Sequence, residues 1–190
     1  MDTKQQKNSK TIARMQMLVR RKKQNADFVA EASEKIMQKV LLHPDVQKAK
    51  TLFVYVSFGN EVATHELITK LLAQGKTVCV PKIVNEDMIA VQIRALLELR
   101  PGYNRILEPV HNEEYEGAID CALVPGVAFT KEGMRLGMGG GFYDIFLHGR
   151  KKIRTIALAF GFQVVPTVPT EDHDRSMDTI ITEAAIFPHK

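Results

Sequence analysis

The chain has 190 residues, 45% of them hydrophobic and 25% charged, a composition that suits one folded domain and excludes a disordered or low-complexity chain. Its formal charge of +4 is concentrated: Lys4, Lys7, Lys10, Arg14, Arg20, Arg21, Lys22 and Lys23 crowd the first two dozen residues and leave the remainder slightly acidic. The apolar stretches around 121–129 and 156–162 are broken by Gly or Pro and are too short for a membrane span.

The basic start contains no apolar run of the kind that begins a secreted chain. Cys79 and Cys121 lie far apart in separate apolar runs, which suits buried free thiols in a reducing compartment, and the cytoplasm is the expected location.

From Ser9 to Lys23, Ile12, Met15, Leu18 and Val19 recur at helical spacing between basic residues, and a second helix is expected over 27–42, stopping at His43 and Pro44. The period then changes. Thr51 to Val56 is a continuous apolar and β-branched run, as in a strand covered on both faces. Thr64 is placed to cap a helix through Leu67, Ile68, Leu71 and Leu72 that ends at Gly75, and Thr77 to Val80 follows as a strand closed by Pro81. This is a βαβ unit, whose ligands usually sit beyond the carboxyl ends of its strands, where Glu61 and Lys82 fall.

A strand pair or hairpin is expected over 88–94, and the Pro- and Gly-containing stretch 101–117 yields no assignment. Strands follow at 119–124, 155–160 and 178–182, with a helix at 140–148 ending at Gly149. The fold expected is an open α/β fold: one domain over 1–190 with a mostly parallel central sheet, helices on both faces, and the helices of residues 1–45 packed on the α/β core.

Chemistry concentrates in Arg135 to Asp144, RLGMGGGFYD. Glycines admit positive φ and let backbone amides converge on an anion, while Asp144 stands beside them as an oxygen ligand for Mg²⁺. Neither a Walker A loop nor a dinucleotide fingerprint fits the spacing, and a simple strand-to-helix turn is the competing reading. Lys10 and Arg14, four apart, share one helical face where two cations can meet phosphates, the alternative being a solvated helix. Asp172, His173, Asp174 and Asp178 form an acidic cluster before the last strand. The remaining histidines show no zinc-ligand spacing.

The segment VPGVAFTKEGMRLGMGGGFYD, Val124 to Asp144, resembles the 5-formyltetrahydrofolate cyclo-ligase (methenyltetrahydrofolate synthetase) family, whose signature reads close to PGxAFxxxGxRLGxGGGYYD. Lys10 to Arg14, Glu61 to Thr64, Val80 to Lys82 and the HDxxxD segment from His173 to Asp178 extend the resemblance in the family's order. The resemblance implies ATP-dependent conversion of 5-formyltetrahydrofolate to 5,10-methenyltetrahydrofolate with Mg²⁺, releasing ADP and phosphate.

By the same resemblance, ATP would be bound by Lys10, Thr11, Ile12, Ala13, Arg14, Arg135, Leu136, Gly137, Met138, Gly139, Gly140, Gly141, Phe142 and Tyr143. The folate would be bound by Val56, Glu61, Met138, Gly139, Gly140, Gly141 and Phe142, and the metal by Asp144 and Asp178. Lys82 is a candidate for phosphate or the folate glutamate tail. The substrate is a small molecule, with no nucleic acid or membrane partner, and a monomer is expected.

Two residues depart from the motif: Met138 stands where the family commonly has Arg, and Phe142 where it has Tyr. Arg135, Lys82 or Lys10 would have to supply the lost charge. The departures motivate an alternative, a low-activity or non-catalytic folate- or nucleotide-binding paralogue. A third reading, nucleic-acid binding through the basic start, lacks interleaved aromatics for base stacking.

Overall fold

The computed structural model describes residues 3–102, 105–170 and 175–188. Three helices come first, α1 (Thr3–Lys22), α2 (Ala26–Leu42) and α3 (Pro44–Lys48). The expected stop at His43 and Pro44 is also a start. Pro44 has no N–H to leave unpaired in a first helical turn, and His43 caps α3 by accepting the Asp45 amide on Nδ1 at 3.3 Å.

The sheet strands are β1 (Thr51–Val54), β2 (Thr77–Val84) and β3 (Asp87–Ile93), then β4 (Leu99–Pro101) and β5 (Leu107–Pro109) as a separate pair. β6 (Cys121–Val124) follows, then the small pair β7 (Ala128–Phe129) and β8 (Arg135–Leu136), and finally β9 (Arg154–Leu158), β10 (Thr179–Ile181) and β11 (Ile186–Pro188). Helix α4 (His65–Ala73) connects β1 to β2, and α5 (Phe142–Leu147) lies between β8 and β9.

The central sheet has seven strands in the order β11-β10-β9-β6-β1-β2-β3. β10, β9, β6, β1 and β2 run parallel, and antiparallel β3 and β11 close the two edges. The chain leaves β1 in one direction through β2 and returns to its other side through β6, so the strand order reverses between β1 and β6. In open α/β sheets the crevice outside the carboxyl ends at such a point is where ligands bind.

Strand alternation divides the core between the two faces. Leu52, Val54 and Val78 pack with Ile36 and Val40 of α2 and Leu67, Ile68 and Leu71 of α4. On the other face Phe53, Cys79 and Ala122 pack with Phe146 and Leu147 of α5, with the Phe53 and Phe146 rings stacked at 4.4 Å. Cys79 and Cys121 are both buried and free, and burial pushes each thiol up to about 12.

Several local expectations are corrected by long-range partners. Pro81 does not end β2, which continues to Val84 against β3; β1 pairs with β2 only as far as Cys79, so a residue lacking an N–H is tolerated beyond it. The β2–β3 hairpin turns on Asn85 (φ 49°) and Glu86 (φ 68°), both left-handed as in a type I′ turn. Thr64 makes no side-chain cap on α4. Its hydroxyl instead donates to the Tyr55 carbonyl at 2.8 Å and accepts the Ser57 amide at 2.9 Å, pinning the loop after β1. The unassigned stretch 101–117 contains β5, which pairs with β4 just before it, and β11 adds an edge strand that the sequence pattern does not show.

Candidate active site

A cleft of about 1260 Å³ opens at the carboxyl ends of β1 and β6. Tyr55 and Val56 follow β1 on one side and Pro125 and Gly126 follow β6 on the other, so the cleft occupies the reversal point of the sheet. Helix α1 forms one wall. Lys10, Met17 and Arg21 are buried on the face that also carries Arg14, and Met17 packs against Val127, Ala128 and Leu136 beside the β7–β8 turn.

The glycine-rich segment forms a second wall, in contact with α1. Gly139 (φ 110°) and Gly141 (φ 70°) take backbone conformations that side-chain-bearing residues avoid. A Cβ on Gly139 would stand 3.6 Å from the Arg14 guanidinium, and one on Gly140 would collide with the Phe142 ring at 2.8 Å. The loop is held from below: Arg14 Nε donates to the Gly137 carbonyl at 2.8 Å. The following helix has six residues, shorter than the sequence suggests, so the loop amides and arginines rather than a long helix dipole would favour an anion.

Arg135 is nearly fully buried. Its Nη2 donates to Asp144 Oδ1 at 2.6 Å, its Nη1 reaches the Pro125 carbonyl at 3.4 Å, and its guanidinium lies 5.8 Å from the Tyr143 ring centroid. Its Nε is buried with no acceptor among the described residues, although Arg135 lines the cleft. An acceptor supplied by a ligand would satisfy it.

Glu61 occupies the other end of α1's wall. Arg21 Nη1 meets Glu61 Oε1 at 3.4 Å, and the Phe58 amide donates to Oε2 at 3.1 Å. Burial raises the Glu61 carboxyl above its ordinary value, while Arg21 and the Phe58 amide pull it back down. Tyr55 and Tyr143 stand near enough to feel the Glu61 charge; burial raises both phenols and Glu61 raises them further. Tyr55 donates its hydroxyl to the Val62 carbonyl at 2.8 Å.

Lys10, Thr11, Arg14, Val56, Glu61, Arg135, Leu136, Gly137, Met138, Gly139, Gly140, Gly141, Phe142, Tyr143 and Asp144 therefore line one cleft. Ile12 and Ala13 do not: Ile12 projects outward and Ala13 packs beside the cluster around Met17. Lys82 is also elsewhere, donating to the Pro109 carbonyl and so tying β5 to β2.

Asp178 is not brought to Asp144. It precedes β10 at the amino edge of the parallel strands, where its Oδ2 accepts the Thr155 amide at 2.8 Å and the Thr155 hydroxyl at 2.9 Å. The expectation that both aspartates meet at one metal fails on this geometry, because β9 and β10 are parallel and carry Asp178 to the end of the sheet opposite the cleft. Asp172, His173 and Asp174 lie outside the described residues. No group of three His, Cys, Asp or Glu residues among those described could hold a metal unaided.

Tyr55 lines the cleft and Arg21 stands behind it against Glu61, and neither is assigned a role by the sequence pattern. The 4-3-4 spacing of Lys10, Arg14, Met17 and Arg21 was the available signal, since it places all four on one helical face.

A model described as the 5-formyltetrahydrofolate cyclo-ligase family matches residues 6–183. The 5-formyltetrahydrofolate cyclo-ligase of Mus musculus is 31% identical over 163 residues, covering 78% of this chain and 80% of the mouse one. The Saccharomyces cerevisiae cyclo-ligase is 32% identical over 181 residues, covering 82% and 86%. The solved structure of Aquifex aeolicus 5,10-methenyltetrahydrofolate synthetase superposes with a TM-score of 0.85 at 29% identity, covering 95% of this chain and 93% of that one.

Proposed function

This chain belongs to the 5-formyltetrahydrofolate cyclo-ligase family, and on that premise we propose that its cleft holds ATP beside 5-formyltetrahydrofolate and closes the folate to 5,10-methenyltetrahydrofolate. The enzyme is a ligase, and its reaction is the family's ATP-dependent conversion, with ADP and phosphate released.

The observation that carries the residue assignment is the division of the cleft. Cations and glycine amides gather at one end, and a desolvated carboxylate stands at the other. A volume of about 1260 Å³ exceeds what one small ligand usually needs, which suits two substrates side by side.

At the cationic end, amides of Gly137 to Gly141, with Arg14 and Lys10, would receive the ATP phosphates. Met138 carries no charge, but Arg14 already lies against Gly139, so a cation stands beside the loop without it. At the other end, Glu61 would accept N–H groups of the pteridine. Only two protein donors reach its carboxylate among the described hydrogen bonds, leaving lone pairs for a ligand.

The formyl oxygen is a poor leaving group. Transfer of the γ-phosphoryl group to it forms an O–P bond and releases ADP; N10 then attacks the activated carbon, and the C–O bond breaks with loss of phosphate and of the N10 proton. The protein's tasks are to align the two substrates and neutralise charge on the phosphates. Asp144 fits Mg²⁺ as a single carboxylate in the cleft, because this ion commonly takes one or two protein carboxylates and completes its shell with phosphates and water. Bound there, Mg²⁺ would screen phosphate charge. Asp178 is not included.

The free, buried thiols of Cys79 and Cys121 suit a reducing compartment such as the cytoplasm, and a monomeric enzyme is the form proposed. Lys10 in the cleft and Arg21 against Glu61 are both buried rather than displayed to solvent, which weakens the nucleic-acid reading. The test is growth of 5,10-methenyltetrahydrofolate absorbance when folded protein is mixed with 5-formyltetrahydrofolate, ATP and Mg²⁺. Ligand binding without turnover would instead establish the non-catalytic paralogue.

A further inference from the structure

The resemblance to the family gives Arg21 no role, yet it is the most buried charge beside Glu61. We propose that Arg21 is a positioning residue that holds the Glu61 carboxylate in the cleft, so that one rigid helix, α1, sets both the folate-binding carboxylate and the phosphate-binding loop. The proposal rests on the reading of Glu61 as the pteridine's partner.

Two contacts define the helix as a strut. Seven residues apart on one face, Arg14 donates to the Gly137 carbonyl at 2.8 Å and Arg21 meets Glu61 at 3.4 Å. Met17, buried between them, plugs α1 into the cluster under the glycine-rich loop. The carboxyl end of α1 is tied to the same loop that bears Glu61: Asn60 Nδ2 donates to the carbonyls of Arg21 at 3.4 Å and Gln24 at 3.1 Å. A displacement of the helix would therefore move both ligand sites.

The charge logic is specific to this pair. Glu61 faces Arg21 from α1, the Phe58 amide from its own loop, Tyr55 beyond β1 and Tyr143 from α5. Of these only Arg21 carries a positive charge. The two phenols stay protonated, because burial raises both. A desolvated carboxylate that loses its one cation takes up a proton more readily, and a protonated carboxyl offers fewer acceptor sites to N–H groups.

The test is equilibrium binding of 5-formyltetrahydrofolate between pH 5 and 9 to the wild type, Arg21→Gln, Arg21→Lys, Glu61→Gln and the Arg21→Gln/Glu61→Gln double variant, with turnover and ADP affinity measured in parallel. Arg21→Gln should weaken folate binding on the order of tenfold at neutral pH. Its acidic limb should move to higher pH by about one unit or more. Arg21→Lys should restore most of the limb, and the double variant should bind no more weakly than Glu61→Gln. ADP affinity should change less than about twofold, which also shows that the variant is folded.

Equal loss at every pH, or additive losses in the double variant, would overturn the positioning role. A wild type that binds folate with these pH effects but never turns it over would support Arg21's role while sinking the catalytic reading. Failure of folded wild type to bind folate would overturn both.

Discussion

The two edges of the parallel sheet are built from the same kinds of residue and do different work. At the amino edge, Asp120 Oδ2 accepts the amides of Lys50 and Thr51, and Asp178 Oδ2 accepts the amide and hydroxyl of Thr155. Strand starts present N–H groups there, and the carboxylates satisfy them permanently. At the carboxyl edge, Asp144 in α5 and Glu61 in the loop after β1 each line the cleft and are each met by an arginine side chain, Glu61 by the Phe58 amide as well. A carboxylate held by backbone is a clamp. One held by a side chain can exchange that partner for a ligand, and this distinction separates two aspartates that the motif would have joined.

Substitutions can break this contrast, and the largest effect is expected at the amino edge. Asp178→Ala leaves the Thr155 amide and hydroxyl without their acceptor and should cost about 3–5 kcal/mol in denaturant unfolding. The kcat/KM of the protein that remains folded should hold; selective loss of turnover with stability intact would place Asp178 in the chemistry. Asp144→Asn should instead act mainly on turnover, with kcat reduced on the order of a hundredfold and the Mg²⁺ requirement altered; the amide oxygen can still accept from Arg135 Nη2 but carries no charge, so unfolding should cost about 1–3 kcal/mol less than in the wild type. An unchanged Mg²⁺ titration would reject Asp144 as its ligand.

Glu61→Gln should lower kcat/KM for the folate by roughly tenfold or more with the KM for ATP nearly unchanged. Its stability should also respond to pH in a defined sense. The folded Glu61 carboxyl lies above its unfolded value, so its contribution is complete below the unfolded value and is lost as pH rises through the folded one. Glu61→Gln should flatten that part of the stability profile. Gly141→Ala, at φ 70°, should cost roughly 1–2 kcal/mol and loosen the loop, read as a rise in the KM for ATP. Met138→Arg should change turnover at most about fivefold, because the side chain is exposed and Arg14 already stands at the loop; a much larger rise would favour the paralogue reading.

Much of the sheet was legible because it is written locally. Thr51 to Val54 and Cys121 to Val124 are buried at every position, as their unbroken apolar runs imply, and Gly75 takes the left-handed conformation just past α4. The turn at Asn85 and Glu86 was harder to read, since neither is glycine and the hairpin alone makes the left-handed pair worthwhile. Thr64 looked like a helix cap because threonine commonly is one, but the folded loop offered its hydroxyl two better partners.

What the amino-acid sequence determined by itself was the main strands of the parallel sheet, the helices between them, and the glycine-rich segment with Asp144 beside it. Periodicity and glycine content are properties of neighbours along the chain. Only the tertiary structure decided that Arg21 faces Glu61, that Lys82 serves the Pro109 carbonyl, and that Asp178 lies at the far edge from Asp144. Those are relations across 23 to 40 residues. They depend on strand order and direction, which bring distant residues to the same or opposite ends of one sheet.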